Sequence, residues 1–211
     1  MPRLFLIDGS SQMYRAYHAI RGLTGPDGRS TNAVYGFTTM LRKLIADHDP
    51  DHIAASFDLA GPTFRDDLAA DYKANRAPMP SDLAEQVPFV REACEALGVP
   101  VLTSERFEAD DVIGTLAMAA RQQGFEVALV TGDKDFFQLV GEGISVYNPR
   151  DEGTWYDATG VVEKFGVRPD QVVDVLALMG DSVDNIKGVP GIGEKGARDL
   201  IATYGSLDAL L

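Results

Sequence analysis

The chain has 211 residues, 45% of them hydrophobic and 24% charged, with a formal net charge of −13 and a single cysteine. This is the composition of a soluble protein with a core of its own, and it excludes a low-complexity, collagenous or disulfide-stapled chain. Such acidity argues against a partner nucleic acid gripped by a broad basic face, unless the acids are gathered around bound cations that reverse the local field.

Apolar runs predict strands near residues 3–7, 52–57, 100–103, 125–131 and 144–148. Helical patterns lie between them, at about 10–20, 32–47, 81–97 and 109–122, with Ser81 as the expected N-cap and Gly98 and Gly124 as stops. This alternation predicts an α/β fold with a largely parallel central sheet flanked by helices. The first strand, Leu4-Phe5-Leu6-Ile7, ends at once in Asp8, which is unlike a signal peptide, and no stretch reaches membrane-spanning length. The lone Cys94 sits in a helical pattern and reads as a packed thiol. A monomer in the reducing cytoplasm, with no membrane contact, is the expectation.

Residues 59–80 break the pattern. A connection this long in a compact domain is more often functional than idle, the plain alternative being an exposed loop of mixed charge. After Trp155 the character becomes helical, near 158–165 and 169–179, followed by Gly188-Val189-Pro190-Gly191-Ile192-Gly193. The expected organisation is a catalytic unit over 1–157 and a helical region over 158–211.

Carboxylates recur where strands end. Asp8 follows the first strand, Asp58 the second, and Asp133 and Asp135 the fourth, while Glu108, Asp110 and Asp111 open a helix and Asp181 and Asp184 follow a later one. Each alone reads as a cap or turn residue. Capping does not explain acids at so many strand ends, and in an open α/β sheet those ends face one crevice. Converging carboxylates repel unless cations lie among them, and oxygen-only ligands suit Mg²⁺ or Mn²⁺. A pair of such ions stabilises the attacking and leaving oxygens of a phosphoryl displacement. The glycine-rich string permits a tight hairpin whose backbone N–H groups meet phosphate, with Lys187 and Lys195 beside it; a plain helical turn is the alternative.

The motifs Leu4-Phe5-Leu6-Ile7-Asp8-Gly9, Val34-Tyr35-Gly36-Phe37, Phe64-Arg65, Tyr72-Lys73-Ala74-Asn75-Arg76, Glu108-Ala109-Asp110-Asp111, Thr131-Gly132-Asp133-Lys134-Asp135, Met179-Gly180-Asp181 and Asp184-Asn185-Ile186-Lys187-Gly188-Val189-Pro190-Gly191-Ile192-Gly193 occur in this order. They closely resemble the 5′-nuclease domain of bacterial DNA polymerase I and the wider flap endonuclease family. The resemblance implies a PIN-like fold that removes nucleotides or short flaps from DNA 5′ ends, with a helical arch over about 59–80 and a C-terminal helix-hairpin-helix. It implies that Asp8, Asp58, Glu108 and Asp110 bind one metal, accompanied by Asp111, and that Asp133, Asp135, Asp181 and Asp184 form a second acidic group. Lys73 and Arg76 match arch residues that engage the scissile phosphate. Gly188, Gly191 and Gly193, flanked by Lys187 and Lys195, match a motif that grips duplex DNA and whose carbonyls hold a monovalent cation such as K⁺. A DNA polymerase segment is the implied neighbour. Asp66 and Ala69 stand where the family pattern has His and Tyr, which lowers charge and stacking in the arch. Two other readings are a branched-DNA-binding module with weak catalysis, and a small-molecule phosphatase with Asp8 as nucleophile.

Overall fold

In the computed structural model, which describes residues 1–150 and 153–211, six strands form one sheet. They are β1 (Arg3–Asp8), β2 (His52–Ser56), β3 (Val101–Leu102), β4 (Glu126–Val130), β5 (Ile144–Asn148) and β6 (Thr154–Tyr156), in the order β3-β2-β1-β4-β5-β6. All pairings are parallel except that of β6 with β5. Side chains alternate across the sheet, as the period of two requires. Phe5 and Ile7 of β1, with Ala128 and Val130 of β4, face one core, and Leu6, Val127 and Leu129 face the other. Helices cover both faces, which is why the central strands are almost continuously apolar.

The first face carries α1 (Gly9–Ala19), α2 (Asn32–His48), α4 (Ser81–Ala84) and α5 (Val87–Ala96), α3 (Phe64–Leu68) lying in the connection before α4. The second carries α6 (Ala109–Gln122), α7 (Ala158–Phe165), α8 (Val172–Met179) and α9 (Glu194–Tyr204). Val161, Phe165, Val172 and Ile201 pack in the same cluster as Leu129 and Val146, so the core continues from the sheet into the C-terminal helices. A two-stranded ribbon, β7 (Gly180–Asp181) and β8 (Ile186–Lys187), follows α8, and α10 (Leu207–Leu210) ends the chain. Among the described residues no helix is long and apolar enough to cross a membrane. Cys94 is fully buried, and burial pushes its thiol up to about 11, as suits a packing residue.

Three local expectations change. The helix expected over 81–97 is two helices, because Pro88 in the first turn of α5 has no N–H for the carbonyl of residue 84. The break is filled by Gln86, whose buried amide accepts from Ala33 N at 2.9 Å and donates to Asn32 Oδ1 at 3.0 Å. Ser81 lies inside α4 rather than capping it, the cap position being Pro80. The edge strand β6 and the helix α3 were both too short to show a period in sequence; α3 starts at Thr63, whose N–H and hydroxyl meet Asp66 Oδ2 at 2.6 and 3.0 Å. Asp66 is thus a local helix-start residue.

Candidate metal-binding active site

Strand order reverses between β1 and β4, and the crevice outside the carboxyl ends of a sheet opens at such a switch point. Asp8 ends β1 and Asp133 follows β4 across that switch. Asp8 is buried; it caps α1 by accepting from Ser11 N at 3.0 Å and accepts from Thr131 Oγ1 at 2.9 Å. Asp133 accepts from Asp135 N at 2.9 Å, starting the 3-10 turn Lys134–Leu139. Asp58 accepts from Ala109 N at 2.8 Å, tying the end of β2 to the start of α6. The cap and the acid cluster are therefore the same residues, since helix N-termini and strand ends meet at one edge.

The acids act on one another's charge. Burial, with the charges of Asp8, Asp133, Asp58 and Glu108, pushes Asp110 up to about 8. Burial raises Asp8 to about 6 against the hydrogen bonds from Ser11 and Thr131, the charges of Asp133 and Asp58 adding to it. Burial also raises Asp135 to about 6, with Asp133, Asp181 and Asp184 contributing. Asp135 Oδ1 is buried without a hydrogen-bond partner. Such a set of crowded, oxygen-only, proton-hungry groups fits hard divalent cations. Among the described residues no three acids close on one metal-sized point; amines and guanidinium groups lie against Glu108, Asp181 and Asp184. Lys73 Nζ is 2.7 Å from Glu108 Oε2 and 3.9 Å from Asp184 Oδ2, Arg76 pairs with Asp184, and Lys134 Nζ is 3.6 Å from Asp181 Oδ2.

The shifts have a consequence for stability. Between about 4 and 8 the folded protein keeps a proton on Asp110 that the unfolded chain has lost, so stability falls as pH rises through that window. Thermal melts in chelator should show Tm decreasing from pH 6 to pH 8. Mg²⁺ competes with those protons and should raise Tm more at pH 8 than at pH 6. A Tm that is flat in pH and indifferent to Mg²⁺ would break the link between the acids and the metal.

Some residues of the site were not assigned from sequence. Arg65 holds both oxygens of Asp111, at 2.7 and 2.8 Å, and Asp111 Oδ2 accepts from Glu108 N at 3.0 Å. Burial works to raise the Asp111 carboxyl, but Arg65 and the Glu108 amide outweigh it and hold it below the usual range. The Tyr72 hydroxyl lies 3.2 Å from both Glu108 Oε2 and Asp184 Oδ2. Thr131 bridges Asp8 and Asp133 N. Arg65, Tyr72 and Thr131 all lie inside the motifs Phe64-Arg65, Tyr72-Lys73-Ala74-Asn75-Arg76 and Thr131-Gly132-Asp133-Lys134-Asp135, the one signal that pointed to them.

The glycines of the hairpin differ from one another. A side chain on Gly188 would come within 2.3 Å of the Met179 backbone, so Gly188 allows β7 and β8 to close. Gly191, at φ 85°, and Gly193 both face open space, at the turn and the N-terminus of α9. Lys187 is exposed on β8, and Lys195 lies in the first turn of α9.

A profile of the 5′-3′ exonuclease N-terminal resolvase-like domain matches residues 3–166, and one of the 5′-3′ exonuclease C-terminal SAM fold matches residues 167–211. DNA polymerase I of Pseudomonas aeruginosa is 50% identical over 202 residues, 96% of this chain and 22% of that protein. DNA polymerase I of Mycobacterium tuberculosis is 46% identical over 215 residues, covering 100% of this chain and 24% of its own. The chain thus spans about a quarter of the length of these relatives. Among solved structures, T5 5′-exonuclease with bound divalent metal ions (zinc) superposes with a TM-score of 0.80 at 22% identity, over 99% of this chain and 78% of that one. The catalytic core of Rad2 in complex with DNA substrate gives 0.61 at 19% identity, over 99% and 63%. These likenesses are of fold: the same α/β sheet with a C-terminal helical segment. With its two parts matched in order by both family profiles, and its full length aligned to polymerase relatives, the chain belongs to the 5′-3′ exonuclease family.

Proposed function

We propose that this chain is a metal-dependent 5′-3′ exonuclease and 5′ flap endonuclease that hydrolyses DNA phosphodiester bonds. The observation that carries this is the convergence of acids from β1, β2, α6, the turn after β4 and the 181–184 turn, with Lys73 and Arg76 of the 59–80 connection among them. The structural neighbours' divalent metals and DNA support the same reading. Asp8, Asp58, Glu108 and Asp110 are assigned to one ion, and Asp133, Asp135, Asp181 and Asp184 to a second. Asp111 is assigned to bracing Glu108 rather than to ligation, because Arg65 already holds both its oxygens. Two Mg²⁺ or Mn²⁺ ions would activate a water and stabilise the attacking and leaving oxygens. Lys73 and Arg76 leave their carboxylates for the scissile phosphate and meet its developing charge. The hairpin 188–193 holds the downstream duplex, its carbonyls offering a place for K⁺. We place the reaction in a cytoplasmic monomer, beside a DNA polymerase segment.

Asp8 is poorly suited to attack phosphorus itself. It is 4% exposed, and its two oxygens accept from Ser11 and Thr131. Incubation with a 5′-labelled flap duplex, with and without Mg²⁺, tests the proposal. Short labelled products are expected with Mg²⁺ alone; cleavage that resists chelator overturns the metal mechanism, and binding without cleavage leaves a branched-DNA-binding module.

The hairpin has its own test. Gly191 has φ 85°, so any side chain there strains the backbone. Gly193, extended and open, is the cleaner position. Gly193→Val should weaken binding to flap duplexes of every sequence while sparing cleavage at saturating DNA. Lys195→Ala should reduce the salt slope by about one unit. Fluorescence anisotropy at several salt concentrations reads both; unchanged affinity in a folded Gly193→Val protein would make the hairpin a structural turn only.

A further inference from the structure

The basic segment 71–76 and the acidic turn 181–185 are joined by three hydrogen bonds that involve neither a charged side chain nor a metal-binding oxygen. Asn75 Nδ2 donates to Ser182 O at 2.8 Å, and Asn185 Nδ2 donates to Asp71 O at 2.7 Å. Between these crossed amides, Lys73 N–H donates to Asp184 O at 2.9 Å. Each segment thus offers a side-chain amide to the other's backbone, and the central bond lies on the residue pair whose side chains also meet. Lys73 and Asn185 have φ of 53° and 58°, left-handed values that asparagine tolerates well but that a lysine adopts at a cost its surroundings must offset.

We propose that Asn75 and Asn185 are positioning residues that clasp the segment bearing Lys73 and Arg76 to the turn bearing Asp181 and Asp184. The catalytic half of this statement rests on the function proposed above. The clasp fixes the Lys73 backbone against the Asp184 carbonyl, so its ammonium and the Arg76 guanidinium stay within reach of the acids. Without it the long, mixed-charge connection before α4 would sample open geometries, and the reacting groups would meet less often in productive alignment. Because the turn leads directly into β8 and the hairpin, the clasp also couples the 59–80 connection to the region proposed to grip duplex DNA.

The variants must separate the amide from the backbone. Asn185→Gly keeps the left-handed conformation while deleting the donor, at the cost of some added backbone freedom in the turn, whereas alanine would add strain. Asn75→Ala removes the other amide, and Asn75→Gln keeps a carboxamide on an exposed side chain. Trypsin cuts after Lys73 and Arg76, so digestion of the full chain in chelator reads the clasp without any need for activity. Two exposed hydrogen bonds, each worth a few-fold, predict that Asn75→Ala/Asn185→Gly is cut there roughly tenfold faster than the parent, with Tm of the main transition unchanged and Asn75→Gln near parental. Single-turnover cleavage of flap DNA should fall by a similar factor at unchanged Kd, placing the loss in the rate and not in binding. Parental trypsin sensitivity in the double variant overturns the clasp. Faster proteolysis with an unchanged cleavage rate overturns its positioning role. If the parent itself fails to cut DNA, the proposed function falls while the proteolysis still decides the clasp.

Discussion

Asp110→Asn is expected to abolish cleavage while making the metal-free protein more stable. The two effects have one cause. Asp110 is crowded by Asp8, Asp133, Asp58 and Glu108, and burial with those charges lifts it to about 8. A neutral amide of the same shape removes the repulsion, so Tm in chelator should rise at pH 8. The same change deletes a proposed metal ligand, at a cost of several kcal/mol of transition-state stabilisation, roughly a thousandfold in rate or more. Asp133→Asn should be equally inactive and still start its 3-10 turn, because an amide oxygen also accepts from Asp135 N. Single-turnover kinetics and thermal melts on the same preparations test the pair. Near-parental rates in either variant would remove that residue from the metal site, and a fall in the metal-free Tm of Asp110→Asn would show that its carboxylate is stabilising.

Lys73→Ala is expected to slow the chemical step by about 10²- to 10³-fold, the usual effect of removing a charged donor aimed at developing charge. Alanine has the same Cβ at φ 53°, so the backbone strain is the same in both proteins and the effect belongs to the ammonium. In the absence of DNA the sign reverses. Lys73 Nζ lies 2.7 Å from Glu108 Oε2, where it competes with a cation for that carboxylate. Mn²⁺ titration without DNA should therefore show tighter binding to Lys73→Ala than to the parent. Unchanged single-turnover rates would assign Lys73 to the solvated surface, and unchanged Mn²⁺ affinity would show that it does not guard Glu108.

The parallel sheet was legible because its central strands are continuously apolar and alternate with helical patterns, a signal that depends on near neighbours alone. The acids were legible for a related reason: in such a sheet every strand that ends in a carboxylate ends at the same edge, so topology turns a sequence pattern into a cluster. Where the pattern was local but short, as at Thr154–Tyr156 and Phe64–Leu68, there was no full period to read. Pro88 was in plain view, yet the break it makes in the 81–97 helix depends on Gln86 finding partners on α2.

The residue types at the site, their order and the family were thus determined by the sequence alone. Tertiary structure decided which of them hold one another. Arg65 reaches Asp111 across 46 residues, Tyr72 reaches Asp184 across 112, and Asn185 reaches Asp71 across 114. No periodicity spans such distances. These bonds form because the sheet and its helices bring the 59–80 connection over the strand ends, and only there do an exposed amide or a tyrosine hydroxyl gain a partner.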